Sequence, residues 1–203
     1  IPKRMRWGAH KVDFVRPVHW IVLLYGNKII DTRIMGIPTG NQTRGHRFHC
    51  PKSLIIATPD AYEVVLREDG HVLADFEERR TRIRDGVTEI ARTQGQGEAV
   101  IDDDLLDEVT ALNEWPVPLL GKFESRFLDV PSEALISSMK EHQKYFHVVD
   151  KNGVMLPLFI TVANIESKDP SQVISGNEKV IRPRLSDAAF FYDTDRKHTL
   201  ESR

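Results

Sequence analysis

Tyr145-Phe146-His147-Val148-Val149-Asp150-Lys151-Asn152-Gly153-Val154-Met155-Leu156-Pro157-Leu158-Phe159-Ile160-Thr161-Val162-Ala163 decides the fold class. β-Branched and aromatic residues crowd both ends, and Asp150-Lys151-Asn152-Gly153 between them is turn chemistry. The stretch reads as a hairpin, Tyr145 to Val149 against Leu156 to Ala163. Helical patterns stand on both sides of it. Pro131-Ser132-Glu133 opens a helix with Leu135, Ile136 and Met139 inward that ends near His142. Pro170 to Ile181 predicts a helix, and Pro183 restarts another whose Leu185, Ala188, Ala189 and Tyr192 share a face.

Further upstream, Asp102 to Leu112 reads as a helix with an acidic first turn, broken by Trp115-Pro116-Val117-Pro118, and Leu119 to Phe123 as a strand. Ala74 to Thr93 is a longer helix: Phe76, Ile83, Val87 and Ile90 recur at helical spacing, with Glu78 and Arg82 paired on the other face. Pro59 to Leu66 is a short helix stopped by Asp69-Gly70, and Leu54-Ile55-Ile56 a short strand. Val18 to Tyr25 and Lys28 to Ile37 flank Gly26-Asn27 as a hairpin, and Ile37 to Asn41, with its Pro and Gly, reads as a loop. Strands and helices mix without strict alternation. The expected fold is therefore α+β, with mixed or antiparallel sheets packed against helices. Gln94-Gly95-Gln96-Gly97 is a linker. It separates a basic hairpin and helical region, 1–95, from an α+β region, 96–203, that continues the same body, with a single domain as the alternative.

With 203 residues, 40% apolar and 29% charged, the composition is that of a soluble chain able to bury a core without staples. Cys50 is the only cysteine, which excludes an internal disulfide and fits a reducing cytoplasm. No apolar run approaches the roughly 20 residues of a membrane span. The chain starts at Ile1 and stops at Leu200-Glu201-Ser202-Arg203 inside a helical pattern, as an excised piece of a larger protein would.

Net charge is -2, unevenly spread: residues 1–49 carry nine Lys and Arg against Asp13 and Asp31, a local +7. The densest acidic run is Asp102-Asp103-Asp104 with Asp107-Glu108. A basic lobe beside an acidic one suits phosphate on one side and protein on the other; a segregated solvated surface has the same signature.

Five polar and aromatic clusters stand out: Arg16-Pro17-Val18-His19-Trp20, Thr43-Arg44-Gly45-His46-Arg47-Phe48-His49, Asn113-Glu114-Trp115-Pro116, Met139-Lys140-Glu141-His142-Gln143-Lys144-Tyr145-Phe146, and the run from Gly176 to Leu185; all but the third join Arg or Lys to an aromatic ring, Pro or Gly. Arg44 and Arg47 around Gly45 suit a phosphate, since the guanidinium fork matches its oxygens and glycine admits close approach; internal carboxylate pairing is the other use. Lys140 and Lys144 complement a helix C-terminus, which explains them fully, while a phenol such as Tyr145 beside two ammonium groups can stack a base. Arg182 and Arg184 flank Pro183, where Glu178 and Asp187 offer internal partners. His46, His49 and Cys50 lie close together but in a loop and without a second cysteine, so no metal site is expected. No nucleophile elbow, zincin helix or phosphate-binding glycine loop occurs, and no catalytic residue is assigned.

Taken together, the five clusters in this order resemble the beta subunit of the bacterial heterotetrameric glycyl-tRNA synthetase, from about Met5 to the end of the chain. Asn113 departs from that pattern, which has an apolar residue there. The resemblance implies the N-terminal body of beta, with a region similar to the B3/B4 domain of the phenylalanyl-tRNA synthetase beta chain, stopping where an HD-type domain would begin. It implies that the alpha subunit uses ATP, magnesium and glycine, and that this piece needs no cofactor of its own. Its partners would be tRNA(Gly), the alpha subunit and the rest of beta. The expected role is tRNA binding and scaffolding through some of Arg44, Arg47, Lys140, Lys144, Arg182 and Arg184. An editing-type hydrolase and a pure subunit-interface module are the alternatives. Editing is disfavoured because a glycine pocket excludes every larger amino acid sterically.

Overall fold

The computed structural model describes residues 3–9 and 11–197. The helix expected to run through Leu200-Glu201-Ser202-Arg203 lies outside the described residues. The fold is α+β, and it divides between Asp75 and Phe76 into two compact units, where the glycine linker suggests a division at 95/96.

The first unit is built from short strands: β1 (Met5–Arg6), β2 (Asp13–Phe14), β3 (Ile21–Val22), β4 (Leu24–Tyr25), β5 (Lys28–Ile29), β6 (Arg33–Ile34), β7 (Ile37–Gly40), β8 (Gln42–Arg44) and β9 (Ser53–Ile55). A 3-10 turn over Pro59–Ala61 leads into α1 (Tyr62–Glu68). The Gly26-Asn27 hairpin joins β4 to β5, with Gly26 at φ +55. Ile37 to Asn41 is not the expected loop. Met35 and Gly36 take φ 54 and 77, a two-residue turn that sends β7 back along β6, and β3 pairs with β7 in parallel. Thr39 makes a strand possible beside Pro38: its N–H donates to Thr32 O at 3.0 Å and its hydroxyl to Ile30 O at 2.6 Å. The unit's buried cluster is small, Cys50, Leu54 and Leu66 with partly buried Val65, Val72 and Ala74 around them.

In the second unit come α2 (Phe76–Thr93), β10 (Glu98–Ala99), α3 (Asp103–Leu112), β11 (Val117–Lys122), α4 (Ser132–Gln143), β12 (Phe146–Val149), β13 (Met155–Ala163) and α5 (Pro170–Asp195). The hairpin expected from Tyr145 to Ala163 forms the centre of an antiparallel sheet ordered β10-β12-β13-β11. Its two-residue period sorts the core. Phe146, Val148 and Ile160 meet Ile83, Val87 and Ala91 of α2 and Leu105, Leu106 and Val109 of α3. Phe159 and Met155 meet Leu135 and Met139 of α4 and Ile181 and Leu185 of α5. α2 is tied to this unit at close range, since a Cβ on Gly86 would come within 2.8 Å of Pro118 Cγ on β11.

Pro183 predicts two helices in sequence, but α5 is continuous. Ile181 and Leu185 are fully buried on either side of the proline, and their packing holds the helix through the missing hydrogen bond. Among the described residues no helix is long and apolar enough to cross a membrane.

Candidate nucleic-acid interface

In the first unit the loop after β8 is folded around one histidine. Gly45 has no room for a side chain, because a Cβ would lie 2.5 Å from Gly70 O and 2.6 Å from Gly70 Cα. His46 is buried; its N–H donates to Gly70 O at 2.7 Å and its carbonyl accepts from the Cys50 N–H at 2.8 Å. Its Nδ1 accepts from the N–H groups of Phe48 and His49, each at 3.3 Å. The ring of His46 lies 4.8 Å from that of His49, which stacks on His71 at 5.1 Å. The histidines thus serve as the loop's internal post, and Cys50 is buried against Leu54 and Leu66. Anchored this way, the loop leaves Arg47 exposed and Phe48 71% exposed.

Arg44 is also exposed, its guanidinium 5.6 Å from the centroid of the Trp20 ring. Trp20 is oriented by its Nε1–H, which donates to the buried Thr43 hydroxyl at 3.2 Å. Among the described residues neither Arg44 nor Arg47 forms an ion pair.

The cations of the second unit are placed differently. α3 carries the acidic run, and the run is a set of counter-charges. Asp102 caps α3, accepting from the Leu105 N–H at 2.9 Å, and holds Lys140 Nζ at 2.7 Å. The Lys140 hydrogen bond, with the Leu105 N–H behind it, holds the Asp102 carboxyl below its usual range, and Asp102 in turn raises Lys140. Arg80 bridges Asp103 and Asp107, and Arg84 reaches Asp103 at 3.2 Å. Lys144 ends α4 in the left-handed conformation at φ 59, with its ammonium on Glu108 at 2.9 Å. Arg182 pairs with Glu124 at 2.7 Å, not with Glu178, which accepts from the Lys122 N–H at 3.1 Å. Arg184 is exposed and, among the described residues, has no ion pair; the pair expected with Asp187 is not formed.

Tyr145 is no surface ring. It is 4% exposed, stacked on Phe159 at 4.6 Å, and donates to Asn177 Oδ1 at 2.6 Å. Burial pushes its hydroxyl up to about 12. Of the six cations singled out in the sequence, Arg44, Arg47 and Arg184 therefore stand clear of carboxylates among the described residues, while Lys140, Lys144 and Arg182 are each held by one.

The family model described as the glycyl-tRNA synthetase beta subunit matches residues 1–203. The chain belongs to that family. A glycine–tRNA ligase beta subunit from Marinobacter nauticus is 74% identical over 203 residues, all of this chain and 29% of that protein. Those of Hahella chejuensis and Chromohalobacter salexigens are 65% and 59% identical over the same 203 residues. The chain spans 29% of the length of each of these relatives.

Within this beta-subunit chain, the Asn113-Glu114-Trp115-Pro116 cluster is structural. Asn113 is buried where the family pattern leads one to expect an apolar residue, and its amide is satisfied by Val109 O at 2.7 Å. Asn164 Oδ1 accepts from the N–H groups of Glu114 and Trp115 at 2.7 and 2.9 Å, and Arg82, expected to pair with Glu78, lies 4.6 Å over the Trp115 ring. Tyr62 carries no signal in the sequence. It follows Pro59-Asp60-Ala61 as the first residue of α1, a position that reads as a helix start, and nothing local shows that its ring is exposed beside Trp20.

Proposed function

We propose that this chain is a tRNA-binding and scaffolding segment of a glycine–tRNA ligase beta subunit. In this reading the ATP- and magnesium-dependent attachment of glycine belongs to the alpha subunit, in a cytoplasmic heterotetramer, and the segment contributes no catalytic residue. The observation that carries it is the Thr43-to-His49 loop. Its interior is fixed by His46, and it presents Arg44, Arg47 and Phe48 to solvent, with neither arginine paired to a carboxylate among the described residues. Guanidinium groups match phosphate oxygens, and an exposed ring beside them offers a stacking face. Arg184 on α5 is a further guanidinium without an ion pair among the described residues, on the other unit.

The test is tRNA(Gly) binding by the full-length beta subunit with its alpha partner, measured across salt concentration. Removing one phosphate-binding side chain should weaken binding to all tRNAs alike and flatten the salt slope by about 0.7 to 0.9. Arg44→Ala with Arg47→Ala should therefore lower affinity and reduce the slope by nearly two such steps. An unchanged affinity and slope would leave the subunit-interface reading in its place.

A further inference from the structure

The first unit holds a cleft of about 490 Å³ lined by Trp20, Val22, Leu24, Ile56, Pro59 and Tyr62. We infer that it receives one unpaired nucleobase of the tRNA, stacked against Trp20 with Tyr62 as a second wall. This rests on the tRNA-binding reading and gives it an interaction of a different kind from the phosphate contacts.

Four observations carry it. Trp20 and Tyr62 are 41% and 39% exposed, large rings left at the surface of a unit that has few buried apolar residues. The polar edge of Trp20 is already satisfied by Thr43, so what the ring offers a ligand is its faces. Trp20 also lines a second cleft of about 300 Å³ with His19, Ile21 and Pro38, so hollows open at this residue in two places. Finally, Arg44 lies within cation–π distance of this ring. With the guanidinium over one face of the indole, a base can stack on the other face while the adjoining phosphate meets the guanidinium, which is how single-stranded nucleic acid is held.

Charge argues for a polyanion over an apolar peptide. Residues 1–75 hold eleven Lys and Arg against seven Asp and Glu, a net +4. Asp60 and Glu63 flank Tyr62 in the chain, which places the phosphate at the Arg44 end of the cleft. A duplex cannot enter, because its bases present edges, not faces; the occupant is a looped, bulged or terminal nucleotide.

The experiment uses the full-length beta subunit with its alpha partner and an unmodified tRNA(Gly) transcript, with affinity read over a range of salt. Trp20→Ala and Tyr62→Ala should each weaken binding, Trp20→Ala by roughly five- to hundred-fold, with the salt slope unchanged because stacking releases no counterions. Trp20→Phe should keep most of the affinity. If Trp20→Ala disturbs folding, Trp20→Phe and Tyr62→Ala decide the matter, the latter at an exposed helix position. Wild-type affinity in both alanine variants, with the Arg44/Arg47 effect intact, removes the stacking site and leaves the tRNA-binding reading standing. If the arginine variants are silent as well, both fall. Loss of alpha-subunit association in Trp20→Ala, with RNA affinity unaltered, would show a protein occupant and overturn the proposal.

Discussion

The two units use cations in opposite ways. The second carries a net -6 over residues 76–203, with seventeen Lys and Arg against twenty-three Asp and Glu. Apart from Arg184, its clustered cations are held internally: α3 and its cap supply Asp102, Asp103, Asp107 and Glu108, which hold Lys140, Arg80, Arg84 and Lys144, and Glu124 holds Arg182. The first unit carries a net +4; its Arg44 ends β8, and its Arg47 sits on the following loop, which is held by a hydrogen-bonded histidine rather than by acids. A run of Lys beside aromatic residues therefore means different things in the two places. What separates them is the whereabouts of the carboxylates, which lie far away in sequence: 38 positions separate Asp102 from Lys140.

The sharpest test of that contrast is in the cores. Phe159 is fully buried between β11, β12 and the helices of one sheet face, and its ring already fills the space above Gly121. Phe159→Ala should cost about 3–5 kcal/mol in urea unfolding of the second unit. In the first unit the vulnerable point is backbone contact, not a large side chain. Gly45→Ala drives a methyl into Gly70 O and Cα and should cost about 1–3 kcal/mol. It should also weaken tRNA binding, because the loop that displays Arg47 and Phe48 is displaced. A Gly45→Ala protein with unaltered stability and tRNA affinity would show that the loop has slack that the geometry denies it.

How much of the molecule is legible in its sequence follows the same division. The β12–β13 hairpin, α2, α3 and α4 are written in local period and turn residues, and those patterns survive because each element buries a broad apolar face. β7 reads as a loop because Pro38 and Gly40 are poor strand residues. Thr39's hydrogen bonds, through both its N–H and its hydroxyl, outweigh that preference, and they depend on partners at Ile30 and Thr32 that no local window weighs. Pro183 misleads for a related reason, since Ile181 and Leu185 are locked into a core assembled from distant segments. Among the site residues, the type and clustering of the cations can be read, but not their pairing. Tyr145 and Tyr62 show the limit most plainly: the first has the sequence context of a surface ring and is buried, while the second has no distinguishing context and lines the cleft.

If the carboxylate-held cations are structural, their removal should be felt in stability and not in RNA binding. Lys144→Ala breaks the Glu108 pair and should cost a few tenths to about 1 kcal/mol, with tRNA affinity and salt slope close to wild type. Arg184→Ala should do the reverse, sparing stability and flattening the slope by about 0.7 to 0.9. A Lys144→Ala enzyme whose salt slope drops as far as that of Arg184→Ala would erase the distinction between paired and unpaired cations.

The smallest effect is the one that isolates a single counter-charge. Asp102→Asn keeps an N-cap side chain able to accept from the Leu105 N–H, since Asn caps about as well as Asp, and removes only the charge facing Lys140. Both partners are partly exposed, so removing the Asp102 charge should cost about 0.2–1 kcal/mol. The folded-state carboxyl of Asp102 sits below its unfolded value, so its contribution is present above the unfolded value, about 3.9, and is lost as pH falls through the depressed folded one. The gap in thermal midpoint between wild type and Asp102→Asn should therefore be constant from pH 7 down to the ordinary carboxylate range and close at more acid pH, as Asp102 becomes neutral like its replacement. A gap that persists unchanged below that range would mean that the lost stability came from the cap geometry. α3 would then be held by its N-terminal hydrogen bond rather than by the ion pair with α4.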